Sequence, residues 1–350
     1  MSHSVSSKPH HTANGFRNNH PHDRHTFVDF LKWRWDRLTS LERVSVDATR
    51  FPVANNDPLY LKNNGHETTL TWVGHATLLL QLDGINILTD PHLTNRASPI
   101  PWAGPRRVVL PGLDFDDLPR IDLVLISHNH YDHLDLPTLH RLAQRQGTLQ
   151  PPRLIVSLGL KAYLENRALT NIVELDWWEW ECFQGLIVYA VPAQHFSART
   201  PFDRNQTLWA GYVVAHPAFR FYFAGDTGYS PDFQTIGQKL GPMDLAAIPI
   251  GGYEPRWFMQ SMHLNPEEAV QVHHDVRSRR SVAIHWGTFE LTDEPLDEPP
   301  QRLRRALLAA GIAAEAFIVM QHGETRQLSH SPAETSLTAL APQEKHRKKN

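Results

Sequence analysis

Between Ile121 and Asp135 the chain reads Ile-Asp-Leu-Val-Leu-Ile-Ser-His-Asn-His-Tyr-Asp-His-Leu-Asp. His128, His130, Asp132 and His133 set three imidazoles and a carboxylate within six residues, and borderline metals such as zinc accept both kinds of donor. In an extended segment alternate side chains share a direction, so His128 and His130 can grip one ion while Asp132 and His133, past a bend, turn toward a second. A surface loop that merely happens to be rich in histidine is the bland alternative. The apolar run Leu123 to Ile126 directly before the cluster speaks against it, because a buried strand ending in polar side chains is where α/β sheets keep their sites.

Three more apolar runs end in the same way. Leu186 to Val191 leads to His195, Arg220 to Phe223 leads through Ala224-Gly225 to Asp226, and Ser281 to Ile284 ends in His285. A lone core histidine or turn aspartate is usually a satisfied structural group, so it is their shared position after a β run that singles these residues out. Together they supply His128, His130 and His195 to one metal and Asp132, His133 and His285 to another, with Asp226 able to bridge. His75 and Asp90 also fall at strand ends, where they would orient the ligands from behind. Cys182 is the only cysteine, which excludes an internal disulfide framework and leaves the histidines to carry any metal.

The elements that must position these groups are legible as an alternation of strands and helices. Asp83-Gly84 marks a hairpin between Leu70–Leu82 and Ile85–Leu88. Helices are expected at Leu136–Arg145, Leu160–Arg167, Pro266–276 and Pro300–Ala310, and further strands at Arg153–Ser157, Asn171–Leu175, Leu245–Ile250 and Phe317–Met320. Trp177, Trp178 and Trp180 read as a core or interface block. Two loops hold cations beside aromatics: 92–120 with Trp102, Arg106 and Arg107, and Tyr253 to Phe258 with Arg256 and Trp257. At the mouth of the site, Arg106, Arg107 and Arg256 would meet an anionic substrate, and Trp102, Trp257 and Phe258 an apolar one.

With 350 residues, 41% hydrophobic and 20% charged, the chain can bury a large core. A formal charge of −3 gives no basic field for nucleic acid. Residues 1–25 hold six histidines and no apolar period, so they read as a disordered tail. Residues 26–50 read as an N-terminal helical arm, with Phe27, Phe30, Leu31, Leu38 and Leu41 at helical spacing around Trp33-Arg34-Trp35. Such a face either packs on the domain, its commoner fate, or lies on a membrane surface. Residues 51–329 read as one domain and 330–350 as a disordered basic tail. No apolar run reaches the roughly 20 residues of a membrane span, and no signal peptide is evident, so a cytoplasmic or peripheral location is expected.

His-Asn-His-Tyr-Asp-His, followed by a lone His, a Gly-Asp and a final His, resembles the metallo-β-lactamase fold superfamily. Within it, Tyr253-Glu254-Pro255-Arg256-Trp257-Phe258 and Ile284-His285-Trp286-Gly287-Thr288-Phe289 are similar to the phospholipases D that hydrolyse N-acyl-phosphatidylethanolamine. The resemblance covers roughly residues 68 to 325. It implies an α/β fold in a four-layer αββα sandwich, two zinc ions, and a phosphodiesterase that releases N-acylethanolamine and phosphatidic acid. It also implies catalytic roles for Asp226, Asp132 and His263, a phospholipid substrate met at the membrane periphery, and leaves a homodimer open. The N-terminal arm and the loop around Trp102 depart from the family pattern. A lactonase or other acyl hydrolase would use the same ligands, iron or manganese would accept them, and a silent binding scaffold would normally have lost some of the seven.

Overall fold

Leu123, Val124, Leu125 and Ile126 are all fully buried, and they divide between two cores by the period of two that a strand imposes. Leu123 and Leu125 face the space between two sheets, whereas Val124 and Ile126 face a layer of helices. In the computed structural model, which describes residues 8–23, 25–39, 48–147 and 150–328, the same division recurs across both sheets and gives a four-layer αββα sandwich.

A short pair, β1 (His11–Thr12) and β2 (Gly15–Phe16), precedes helices α1 (Phe27–Thr39) and α2 (Pro58–Asn63). The first sheet takes β3 (Thr69–Gly74), β4 (Thr77–Leu82), β5 (Ile85–Thr89), β6 (Leu123–Ile126), β7 (Arg153–Ser157) and β8 (Ile172–Leu175), with α3 (Leu136–Gln146) and α4 (Leu160–Glu165) among them. The second takes β9 (Trp180–Phe183), β10 (Leu186–Val191), β11 (Gly211–His216), β12 (Phe219–Phe223), β13 (Leu245–Pro249), β14 (Ser281–Ile284) and β15 (Phe317–Ile318). Helices α5 (Asp232–Leu240), α6 (Arg256–Met259), α7 (Pro266–Asp275) and α8 (Glu298–Ala309) accompany it, and β16 (Thr325–Gln327) returns to the edge of the first sheet.

Spatial order is β16-β3-β4-β5-β6-β7-β8 in one sheet and β15-β14-β13-β12-β11-β10-β9 in the other. Each sheet is antiparallel on one side and parallel on the other, the parallel runs being β5 to β8 and β12 to β15. Parallel neighbours bring their carboxyl ends to a common edge, which is how residues distant in sequence become neighbours in a site.

Residues 8–23 depart from the structureless tail that their composition suggested. They lie on the domain, where Lys8 Nζ, His10 Nε2 and His11 Nε2 stand 2.8, 2.6 and 2.9 Å from the Asp176 carboxylate. Burial opposes ionisation of Asp176, but hydrogen bonds from His10 and Lys8 outweigh it and hold the carboxyl below its usual range. Composition misleads here because polar groups, not apolar area, anchor the segment. Helix α1 packs on the domain through one face: Trp33 is 7% exposed, stacks on Phe258 at 5.4 Å, and donates from Nε1 to Asp293 at 2.8 Å. Tyr253 to Phe258, expected as a loop, instead buries Tyr253 and begins α6. Trp177 is buried and Trp180 is exposed, so only part of the tryptophan block is core. Among the described residues no helix is long and apolar enough to cross a membrane. Leu41, and the basic tail expected over 330–350, lie outside the described residues.

Replacing Leu125 by alanine removes a side chain buried between the sheets and should lower unfolding stability by about 2–5 kcal/mol. Leu308, 82% exposed on α8, should tolerate the same change within about 0.5 kcal/mol. Urea unfolding of both variants measures the contrast; equal losses would contradict this placement of the core.

Candidate metal centre

Several of these groups are oriented from behind by a hydrogen bond to backbone or to a buried side chain. Asp90 follows β5, accepts from the Ser127 N–H at 2.7 Å and from Ser127 Oγ at 2.5 Å, and receives His133 Nδ1 at 2.7 Å. Nδ1 of His133 thus carries the proton, and Nε2 is left facing the centre. His195, after β10, is fixed likewise through Nδ1 to the Met262 carbonyl at 2.9 Å. His75 Nε2 lies 2.9 Å from Asp132 Oδ2, behind the metal-facing loop. His75, Asp90 and His285 all have positive φ, at 54°, 32° and 59°, a conformation that side-chain residues usually hold only where surrounding structure enforces it. Gly225, at φ +63°, makes the turn into Asp226, and a Cβ there would stand 2.7 Å from Ser127 Cβ.

The structure brings all seven proposed ligands together. His128, His130 and His195 form one group, and His75, Asp132, His133 and His285 a second. Asp226 joins them, with Oδ2 at 3.1 Å from both His133 Nε2 and His285 Nε2 and 3.8 Å from His195 Nε2. His263 reaches the same carboxylate oxygen at 3.9 Å through Nδ1. His133 Nε2, His285 Nε2, His263 Nδ1 and Asp226 Oδ1 are buried, yet none makes an aligned hydrogen bond. Buried polar atoms that converge without pairing are uncommon, and donors arranged to face a cation have that property. The residues therefore fit a metal, and their chemistry, imidazole and carboxylate without thiolate, fits zinc, iron or manganese.

Burial pushes His195 and His75 down to about 3 and His130 to about 4, so these rings are neutral at pH 7, the state that His130 and His195 need as ligands. His285 goes the other way: burial lowers it, but Asp226 and Asp132 prevail and raise it to about 9. His133 moves in the same direction, for the same reason. Burial favours the neutral acid at Asp226, and the charge of His133 overcomes this and keeps the carboxylate ionised. Negative charge concentrated at Asp132 and Asp226 is what draws positive charge to this point.

The expected rim is rearranged. The Arg256 guanidinium donates to Glu268 at 2.8 Å and to the His263 carbonyl at 3.0 Å, so it holds His263 in place instead of standing free for an anion. Arg107 is buried, directed to His92 and packed over Phe289 at 4.8 Å. Phe258 is buried beneath Trp33, while Trp257 stays half exposed with Lys32 over its ring. Trp102 is 78% exposed and Arg106 is exposed, on a loop closed by a bridge between Arg96 and Arg106. A cavity of about 530 Å³ opens beside His195, lined by Phe16, Asn18, His22, Phe196, Arg204 and Met262.

Sequence reasoning missed Ser127, whose Oγ sits 2.9 Å from His128 Nδ1, and Arg199, whose guanidinium donates to the Asn129 and Leu134 carbonyls and stacks on Tyr131 at 3.9 Å. Ser127 lies inside the motif and was open to inference. Arg199 carries no local signal.

A profile of the beta-lactamase superfamily domain matches residues 85–286. The chain is 42% identical over 271 residues to N-acyl-phosphatidylethanolamine-hydrolyzing phospholipase D 1 of Caenorhabditis elegans, covering 74% of this chain and 75% of that one. It is 35% identical over 240 residues to the mitochondrial N-acyl-phosphatidylethanolamine-hydrolyzing phospholipase D of Saccharomyces cerevisiae, covering 67% and 50%. Among solved structures, the metallo hydrolase Igni18 of Ignicoccus hospitalis superposes with a TM-score of 0.56 at 22% identity, over 76% of this chain and all of that one.

Asp226→Asn should lower metal content and cut turnover by orders of magnitude, whereas His66→Ala, on an exposed turn, should change neither. Metal analysis with kinetics on both variants checks this, and near-normal activity of Asp226→Asn would remove Asp226 from the centre. Gly225→Ala should destabilise the fold by at least about 1 kcal/mol and lower metal retention in parallel, because the strained turn carries Asp226 with it.

Proposed function

The chain belongs to the beta-lactamase superfamily, as a metal-dependent hydrolase, and from that premise we propose a dinuclear zinc phosphodiesterase of phospholipase D type. Its substrate in this reading is N-acyl-phosphatidylethanolamine, and its products are N-acylethanolamine and phosphatidic acid. The observation that carries the proposal is the pair of ligand groups meeting at Asp226, beside a half-exposed aromatic rim.

When bound there, two divalent ions would supply water reactive near neutral pH and would offset charge on a phosphoryl group. The chain's own residues do the rest. Asp132 and Asp226 hold negative charge in a buried setting, and His75 and Asp90 fix the orientation of Asp132 and His133. His263 stands 3.9 Å from Asp226 Oδ2 with an unpaired Nδ1, and burial holds it down at about 3. It is therefore neutral at pH 7 and would serve the leaving oxygen as a hydrogen-bonding partner, not as a stored acid. Arg256, anchored to Glu268, keeps it there. Trp257 and the exposed Trp102 offer apolar surface to acyl chains.

A lipid substrate also requires an approach to the bilayer. Helix α1 presents Val28, Leu31 and Trp35 on its outer face, at i, i+3 and i+7, all exposed while Trp33 packs inward. We place the membrane contact on that stripe.

Purified protein offered N-acyl-phosphatidylethanolamine in vesicles should yield N-acylethanolamine and phosphatidic acid by mass spectrometry. Free fatty acid, or activity confined to lactones, would replace this reading with that of an acyl hydrolase. Changing Val28, Leu31 and Trp35 together to serine should weaken co-sedimentation with vesicles and leave hydrolysis of a soluble phosphodiester intact; unchanged pelleting would return α1 to a packing role alone.

A further inference from the structure

Asn18, in the N-terminal segment, is hydrogen-bonded to the backbone of His195. The Asn18 side-chain amide grips the peptide of His195 from both sides: Oδ1 accepts from the His195 N–H at 3.2 Å, and Nδ2 donates to the His195 carbonyl at 2.9 Å. Oδ1 also accepts from Trp209 Nε1 at 2.9 Å, and that indole N–H contacts the Ala193 carbonyl at 2.9 Å. Turning the amide over would set oxygen against carbonyl and nitrogen against two N–H groups, so the network admits one orientation. Asn18 thus substitutes for a neighbouring strand where β10 has ended and His195 would lack one.

The segment that carries Asn18 is held at both ends. Lys8, His10 and His11 converge on Asp176, the Phe16 N–H donates to the Asn205 carbonyl at 2.8 Å, and Asn19 Nδ2 donates to Asp232 at 3.0 Å. Gly15 allows the close approach, since a Cβ there would meet the Asn205 carbonyl oxygen at 2.0 Å. These contacts make residues 8–23 a strap across the mouth of β10.

We infer that Asn18 is a positioning residue for His195, and that the strap is an integral part of the centre formed by His128, His130 and His195. The inference rests on His195 being a ligand. With its backbone clamped by Asn18 and its Nδ1 by Met262, the ring has its Nε2 directed at His130 and Asp226, 3.2 and 3.8 Å away. Loss of the Asn18 clamp leaves the ring held from one side only. Substituting residues that orient a ligand commonly costs ten- to a hundredfold in metal affinity.

The test uses the full-length protein produced with cobalt(II), read by visible absorption and by the metal retained after dialysis against graded chelator. Asn18→Ala should lose part of its metal at roughly ten- to hundredfold lower chelator than the parent, with an altered cobalt spectrum, and with circular dichroism unchanged. Asn18→Asp, which keeps the acceptor and removes the donor, should fall between the two. It also decides the matter if the alanine variant does not fold. Parental retention and spectrum in both variants would overturn the inference. His195→Ala is run beside them: if it too keeps all its metal, His195 is no ligand and the underlying reading of the site fails instead.

Discussion

A carboxylate taken out of water must be answered by positive charge or it becomes protonated, and Asp226 is the point at which this constraint shapes the molecule. Its oxygens lie among His133, His195, His263 and His285, contributed by loops after four different strands or their neighbours. For that meeting to occur, the two sheets must face each other closely enough to share one apolar core, and their carboxyl ends must open at a common edge. The left-handed backbone at His75, Asp90, Gly225 and His285 follows from the same demand, because an abrupt turn is needed wherever a buried strand must release a polar group into a crowded centre.

The rim obeys a different economy of charge. Two of the three cations expected at the mouth are engaged with the protein itself, Arg256 with Glu268 and Arg107 with backbone carbonyls of its own loop, so they shape walls. The largest exposed apolar groups of the two loops are Trp102 and Trp257.

Much of this was legible in the sequence because burial writes itself as pattern. β6, β10, β12 and β14 are short apolar runs that end in functional groups, and the structure has them within a residue of where the runs begin and end. Other elements left no such trace. β11, Gly211–His216, is buried along most of its length and adjoins Trp209-Ala210, so neither alternation nor a polar boundary marks it. α5 contains Gly237, a poor helix former retained where a Cβ would meet the Asp275 carbonyl at 2.0 Å, a packing need that cannot be read locally. Arg107 and Arg256 read as surface cations because charge in a loop usually is exposed; their partners lie far away or out of pattern. The tail misled most, since its anchors are single hydrogen-bonding side chains matched to distant acceptors.

That last feature bears on how the protein comes to be. Residues 8–23 are synthesised well before Asp176, His195, Asn205, Trp209 and Asp232, to which they attach. During elongation the strap has nothing to bind, and it must remain unengaged until the second sheet has assembled. A segment made early is thus among the last to be fastened, and it comes to rest beside the opening of the centre as that opening takes shape.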